Sequence, residues 1–440
     1  MALLPTWRLL ALTLGVAGLL GLGALVPLAL YAVPLYLGAL GLLVASEARA
    51  TPGRASLAVE RRHDRRLSIG EPNPVELRVG WPAGPGLALR LWARDEAPPG
   101  MTVDRVVLEG ILTAGGEWRG VYHLRPTRRG AYAFGDLNLR VESPRGLLRR
   151  QIRLPLAASA DVFPNLRAIR RYELQLRRGR AIEAGLRRAR VLGRGTEFER
   201  LRDYVPDDDY RRIAWKATAR RGRPVVIEHE VERSQNVLLL IDAGRLMAAP
   251  VADLQKLDHA VNAALVLAYV AAGLGDRVGL IVFADRVEQY VPPARGRRQL
   301  HLLLTSLYRV AAAPTESDPA RALLYLAARN PKRSLVVLFT DLAEASEAEG
   351  LVAQLGLIAR HHLALCVMIA DPELLGLAEA EPSDTRRAYE RVVAQRLLDE
   401  RRGVVERLER RGALVVDVPA DRLSGETVGR YLEIKARTRL

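Results

Sequence analysis

Residues 195–220 read G-T-E-F-E-R-L-R-D-Y-V-P-D-D-D-Y-R-R-I-A-W-K-A-T-A-R, residues 225–232 read V-V-I-E-H-E-V-E, and residues 236–247 read N-V-L-L-L-I-D-A-G-R-L-M. Arg, Asp, Tyr and Trp crowd the first segment, and the last opens with an apolar strand that ends in Asp242. A tether between domains needs only solvated, flexible residues. Aromatic side chains interleaved with opposite charges instead mark a built surface, either an internal clamp or a place where a partner docks.

C-terminal to this segment the pattern alternates between short apolar runs and amphipathic stretches. Strands are expected at residues 237–241, 278–283, 335–340, 363–370 and 414–418, and helices at 254–272, 297–310, 318–328 and 386–410. Continuous apolar strands separated by helices predict a mostly parallel sheet covered on both faces. Ligands collect outside the carboxyl ends of such strands. Asp242 and Asp341 both fall at that edge.

N-terminal to the signature, residues 55–162 carry short alternating runs such as V-E-L-R-V and L-N-L-R-V, punctuated by Glu71-Pro72-Asn73-Pro74 and Ser143-Pro144-Arg145-Gly146. That spacing predicts an antiparallel β-sandwich. Earlier still, residues 9–46 hold no charge over 38 positions, enough for two short spans at 7–25 and 28–46 with Pro27 opening the second. A cleaved signal peptide is the competing reading, but its apolar core is only about 7 to 15 residues. Arginines flank both ends of the run, so the expectation is a multi-pass inner-membrane protein with its soluble domains in the cytoplasm and the lipid bilayer as a partner.

The signature resembles that of the bacterial domain of unknown function 58 family at Gly195, Glu197, Phe198, Leu201, Arg202, Tyr204, Pro206, Asp208, Asp209, Arg211, Ile213, Trp215, Lys216, Ala219, Arg220, Glu230 and Asp242. Asp207 departs from it, standing where the family has Gly in a P-G-D-D run. The resemblance implies an α/β fold: a von Willebrand factor A-like (Rossmann-like), mostly parallel sheet domain, plus a β-sandwich domain and an N-terminal two-helix transmembrane hairpin. The corresponding partition is 1–50 hairpin, 51–165 sandwich, 166–235 signature and connector, 236–425 A-like domain and 426–440 basic tail. It also implies a MoxR-type AAA+ ATPase as partner.

A von Willebrand A metal site pairs an Asp-x-Ser-x-Ser loop with a distant Thr and a second Asp, because Mg²⁺ prefers hard oxygen ligands. Here the loop reads Asp242-Ala243-Gly244-Arg245-Leu246, so both hydroxyl positions are lost. The metal candidates are Asp242, Thr315 and Asp341, with Thr340 as a nearby spare; Mg²⁺ is the one cofactor this set suggests. Arg245 offers the alternative of a guanidinium pairing with the carboxylates, leaving a protein-binding edge.

The formal charge of +16 and pI near 10.4 invite nucleic acid as a partner. Only four lysines stand among the 66 Lys and Arg residues, and no nucleic-acid module or aromatic-interleaved basic strip occurs, so a whole-chain compositional bias explains the charge better. The single cysteine, Cys366, lies in an apolar run. No H-E-x-x-H, Walker loop or nucleophile elbow is present. The expectation is therefore a non-enzymatic, membrane-anchored, cytosol-facing scaffold or adaptor. Its partner-binding candidates are Glu197, Arg202, Tyr204, Asp208, Asp209, Arg211, Trp215 and Lys216. The alternative is a metal-dependent binder or enzyme at the degenerate metal site.

Overall fold

Along the strands of the N-terminal part, apolar and polar residues alternate, which buries one face of each pleat. Strand Glu117–Pro126 buries Trp118, Tyr122 and Leu124, and Asn73–Gly80 buries Val75, Leu77 and Val79. The computed structural model describes residues 2–82, 87–165, 197–205, 210, 213–230, 235–341 and 345–437. It divides into two compact units, Met1–Asn165 and Leu166–Leu440.

The first unit holds a five-stranded antiparallel sheet, in the order Ala2–Pro5, Leu148–Leu154, Leu137–Glu142, Ala88–Asp95, Leu108–Thr113. A four-stranded and a three-stranded sheet complete it. Trp118 lies across Gly110 and Gly120; a Cβ at these positions would meet its ring at 1.8 and 2.4 Å, so a side chain at either glycine would expel the indole. Arg61 and Asp95 form a buried ion pair, completed by the Tyr122 hydroxyl donating to Asp95 at 2.6 Å and by Arg61 donating to the Gly135 carbonyl at 3.0 Å. A buried pair of this kind persists only when its remaining polar atoms are also satisfied.

The N-terminal apolar segment is fastened to this unit at both ends. Ala2–Pro5 pairs with the edge of Leu148–Leu154. The Thr6 hydroxyl donates to Gly146 O at 2.6 Å, and Arg150 donates to Ala48 O and Thr51 O, each at 2.7 Å. The intervening helices are Trp7–Leu25 and Ala32–Ala50, separated by a 3₁₀ turn at Pro27–Tyr31. Only Ala32–Ala50 is long and apolar enough to cross a membrane among the described residues; the apolar stretch of the first helix, Trp7–Leu22, is shorter. The expected two-helix transmembrane hairpin and the multi-pass placement built on it are therefore corrected. It is the first helix whose apolar stretch falls short, while Ala32–Ala50 remains a candidate at a mean hydropathy of 1.2 even though it runs on through Glu47 and Arg49.

In the second unit a six-stranded sheet runs in the order Val287–Ala294, Arg277–Phe283, Asn236–Asp242, Leu335–Phe339, Leu363–Ala370, Leu414–Pro419. The last five pair in parallel, while Val287–Ala294 is an antiparallel edge. Alternate residues of the central strands face opposite ways, as the two-residue repeat requires. Leu239, Ile241 and Val337 pack with helices Lys256–Gly273 and Leu423–Ala436. Leu238, Leu240, Val336 and Leu338 pack with helices Pro319–Arg329, Ala345–Ile358 and Thr385–Arg410.

The same unit carries a separate antiparallel ribbon, Glu197–Asp203 with Val225–Glu230, and a two-residue pair at Pro250–Val251 and Leu254–Gln255. The expected von Willebrand factor A-like, mostly parallel fold with its transmembrane hairpin thus gives way to a mixed α/β chain. It has six sheets among the described residues, a mixed principal sheet and at most one long apolar helix. Residues 426–440, expected as a basic tail, fall largely within helix Leu423–Ala436, whose Tyr431 is fully buried.

Candidate functional site

Strand Asn236–Asp242 delivers Asp242 to the carboxyl end of the principal sheet, where it is 2% exposed. The neighbouring strand Leu335–Phe339 ends just before Thr340 and Asp341, both buried. Two backbone bonds draw the loop around residue 315 against the loop after Asp242: Arg245 N–H to Thr315 O at 2.8 Å and Ala313 N–H to Ala243 O at 2.6 Å. This closure brings Ser317 to Asp242, and its hydroxyl donates to Oδ1 at 2.5 Å. The Gly244 N–H donates to the same oxygen at 2.8 Å, and the Thr340 hydroxyl donates to Oδ2 at 2.6 Å. Burial pushes the Asp242 carboxyl above its ordinary pKa, with Asp341 adding to the shift and the three donors opposing it.

Asp341 is neutralised by two cations. Lys256 Nζ bonds Oδ2, and Arg401 donates to Oδ1 at 2.8 Å. Lys256 is held in place as the first residue of helix Lys256–Gly273, which opens with a capping box between Gln255 and Asp258. Arg401, in the middle of helix Thr385–Arg410, also forks onto Asp417 at 2.9 Å through two nitrogens and reaches the Ile369 carbonyl at 3.0 Å. Burial disfavours its charge, but Asp417 and Asp341 outweigh burial and hold the guanidinium above its ordinary value. The cluster therefore ties together the ends of four parallel strands.

Of the metal candidates, the structure brings Asp242 and Asp341 to one edge. Thr315 is exposed, and it contributes its backbone carbonyl to the loop closure. Ser317 takes the place beside Asp242 that the sequence reading gave to Thr315. Arg245 is exposed and forms no ion pair among the described residues; the cations at the carboxylates are Lys256 and Arg401. The residues present do not fit a divalent ion. Both Asp341 oxygens carry ammonium or guanidinium donors, and both Asp242 oxygens accept from hydroxyls or an N–H. A Cβ at Gly244, where the metal loop would carry its first serine, would meet Ser317 Oγ at 2.1 Å. Among the described residues no three His, Cys, Asp or Glu side chains are grouped to hold a metal.

The signature forms the antiparallel ribbon and a short helix, Trp215–Arg221. Glu197 lies on the ribbon in register with Glu230, and Arg202 with Val226. Asp208, Asp209 and Arg211 lie outside the described residues. The Tyr204 N–H donates to Pro224 O at 3.0 Å, and the Ala214 N–H donates to Val225 O at 2.8 Å, which gathers residues 204–205 and 213–215 at one end of the ribbon. Trp215 is 70% exposed, Tyr210 66% and Val205 52%. Lys216, Arg220 and Arg221 are exposed beside them and form no ion pair among the described residues, whereas Arg223 pairs with Asp203 at 3.0 Å.

The family model described as "Protein of unknown function DUF58" matches residues 200–396. Uncharacterized protein Mb1516 of Mycobacterium bovis is 28% identical over 184 residues, which cover 41% of this chain and 57% of that protein. Uncharacterized protein Rv1480 of Mycobacterium tuberculosis aligns with the same figures, 28% over 184 residues. The match thus spans a little over half the length of these relatives. Among solved structures, BatB from Bacteroides thetaiotaomicron, described as a conserved hypothetical protein, aligns with 46% of this chain and 100% of its own, at 15% identity and a TM-score of 0.34. The family match contains Asp242, Lys256, Ser317, Thr340 and Asp341, while Arg401 and Asp417 lie beyond its end.

Proposed function

The chain belongs to the family described as "Protein of unknown function DUF58", and from that premise we propose that it is a non-enzymatic protein-interaction scaffold. Its docking surface is the end of the signature ribbon, and its partner is a MoxR-type AAA+ ATPase. The apolar segment attaches it to a lipid bilayer, with Ala32–Ala50 as the candidate span. The observation that carries the reading is the exposure of Trp215, Tyr210 and Val205 at one end of the ribbon, beside the exposed cations Lys216, Arg220 and Arg221. Exposed aromatic side chains rimmed by charge are the usual anchors of protein interfaces, because each buries a large area at low entropic cost.

Co-purification of the full chain with a MoxR-type ATPase, under nucleotide conditions that trap the assembled ring, tests the proposal. Trp215→Ala is expected to weaken the complex by about 2 kcal/mol, roughly thirtyfold. Equal recovery of the ATPase with the wild type and the variant would remove this surface from the interface. No ATPase recovered with the wild-type chain would remove the partner.

A further inference from the structure

We infer that Lys256 and Arg401 are the resident cations of the Asp242–Asp341 site, closing its charge balance with side chains of this chain in place of a divalent metal ion. The inference does not depend on which partner the signature binds. Along the carboxyl edge of the sheet stand three carboxylates, Asp242, Asp341 and Asp417, and two cations, Lys256 and Arg401, which bond Asp341 and Asp417. That leaves one negative charge. The charge on Asp242 is met by hydrogen-bond donors, the Ser317 hydroxyl and Gly244 N–H on one oxygen and the Thr340 hydroxyl on the other.

The identity of the first cation is informative. The chain uses arginine almost everywhere, with four lysines among 66 Lys and Arg residues, yet a lysine stands here. An ammonium is a compact point charge with radially arranged donors, closer in shape to a bare ion than the planar guanidinium fork. The Lys256 side chain is 12% exposed and that of Asp341 6%. The Ser317 and Thr340 hydroxyls donate to Asp242 and leave no carboxylate oxygen of that residue unbonded. Magnesium would need about six oxygens near 2.0–2.1 Å, and it would have to strip Asp341 from both of its cations to obtain them.

Electron paramagnetic resonance of free Mn²⁺, titrated with the detergent-solubilised full chain, tests the inference. The wild-type chain is expected to leave the free-ion signal unchanged at the site, with wild type and Asp341→Asn titrating identically. Lys256→Met frees an Asp341 oxygen and is expected to take up about one Mn²⁺ per chain, an uptake lost again when Asp341→Asn is added. Mn²⁺ uptake by the wild type that disappears in Asp341→Asn overturns the inference, as does a folded Lys256→Met chain that takes up none. If Lys256→Met does not fold, the wild-type comparison with Asp341→Asn decides alone, because it needs no loss of the lysine.

Discussion

A carboxylate that is 2% exposed and accepts three hydrogen bonds is held between two tendencies, and at Asp242 burial prevails over the donors. Its folded pKa is raised, so the folded state binds a proton more readily than the unfolded chain does. The corresponding stability is fully present below the ordinary carboxylate pKa and is lost as pH rises through the raised one. Asp242→Asn removes this titration while keeping an acceptor for Gly244 and Ser317. Chemical denaturation across pH should show wild type losing stability relative to Asp242→Asn by up to about 1.4 kcal/mol per pH unit within that window. Parallel pH profiles would place the folded pKa of Asp242 at its ordinary value. Asp242 and Asp341 were legible in the sequence because they end apolar runs. Ser317, Lys256 and Arg401 were not: they lie 75, 85 and 60 residues from the carboxylates they serve, and no local period links them.

Elements with a strong period emerged where the sequence put them, as with helix Arg297–Tyr308 and strand Leu363–Ala370. Among the elements that escaped, which include helices Ala345–Ile358 and Pro372–Glu379, two did so for opposite reasons. Strand Val287–Ala294 contains Pro292-Pro293, which argues against a central strand but suits an edge, where a missing N–H faces no neighbour. Helix Leu423–Ala436 ends in basic residues that read as a solvated tail, yet it buries Leu423, Thr427, Val428, Tyr431 and Ile434 at helical spacing. Tyr431 donates to Asp276, a fully buried carboxylate that also takes Lys435 Nζ at 2.6 Å. This second network fastens the last helix near the start of strand Arg277–Phe283. Tyr431→Phe leaves the Asp276 oxygen short of a donor and should cost about 1–3 kcal/mol. Tyr431→Ala adds a cavity and should cost about 3–5 kcal/mol. Urea unfolding that ranks the two variants as equal would show that the hydroxyl, and not the ring, carries the effect.

At the scale of the whole chain, hydropathy located an apolar N-terminal segment correctly but could not say how it is organised. A run of 38 uncharged residues is compatible with two spans, whereas among the described residues only Ala32–Ala50 is long and apolar enough, the apolar stretch Trp7–Leu22 before it being shorter. Nor could it show that the β-rich unit grips both ends of that segment. The grip centres on Glu47, 1% exposed, whose carboxylate accepts from the Arg145 backbone N–H at 3.0 Å and from its guanidinium at 3.3 Å. The adjoining turn also holds Thr6 through Gly146 and Leu147. One buried carboxylate thus links the end of the apolar segment to the turn that secures its beginning, and both attachments should loosen together when it is removed. Glu47→Ala strands the Arg145 N–H and is expected to lower the local opening free energy of the 143–148 turn by about 1–3 kcal/mol. Hydrogen exchange of the detergent-solubilised chain measures this directly. Amides at Thr6 and Leu148 should exchange roughly ten- to a hundredfold faster in the variant, while those of Asn236–Asp242 keep their wild-type rates. Unchanged protection at Thr6 would mean that the strand pairing of Ala2–Pro5 holds the segment without help from Glu47.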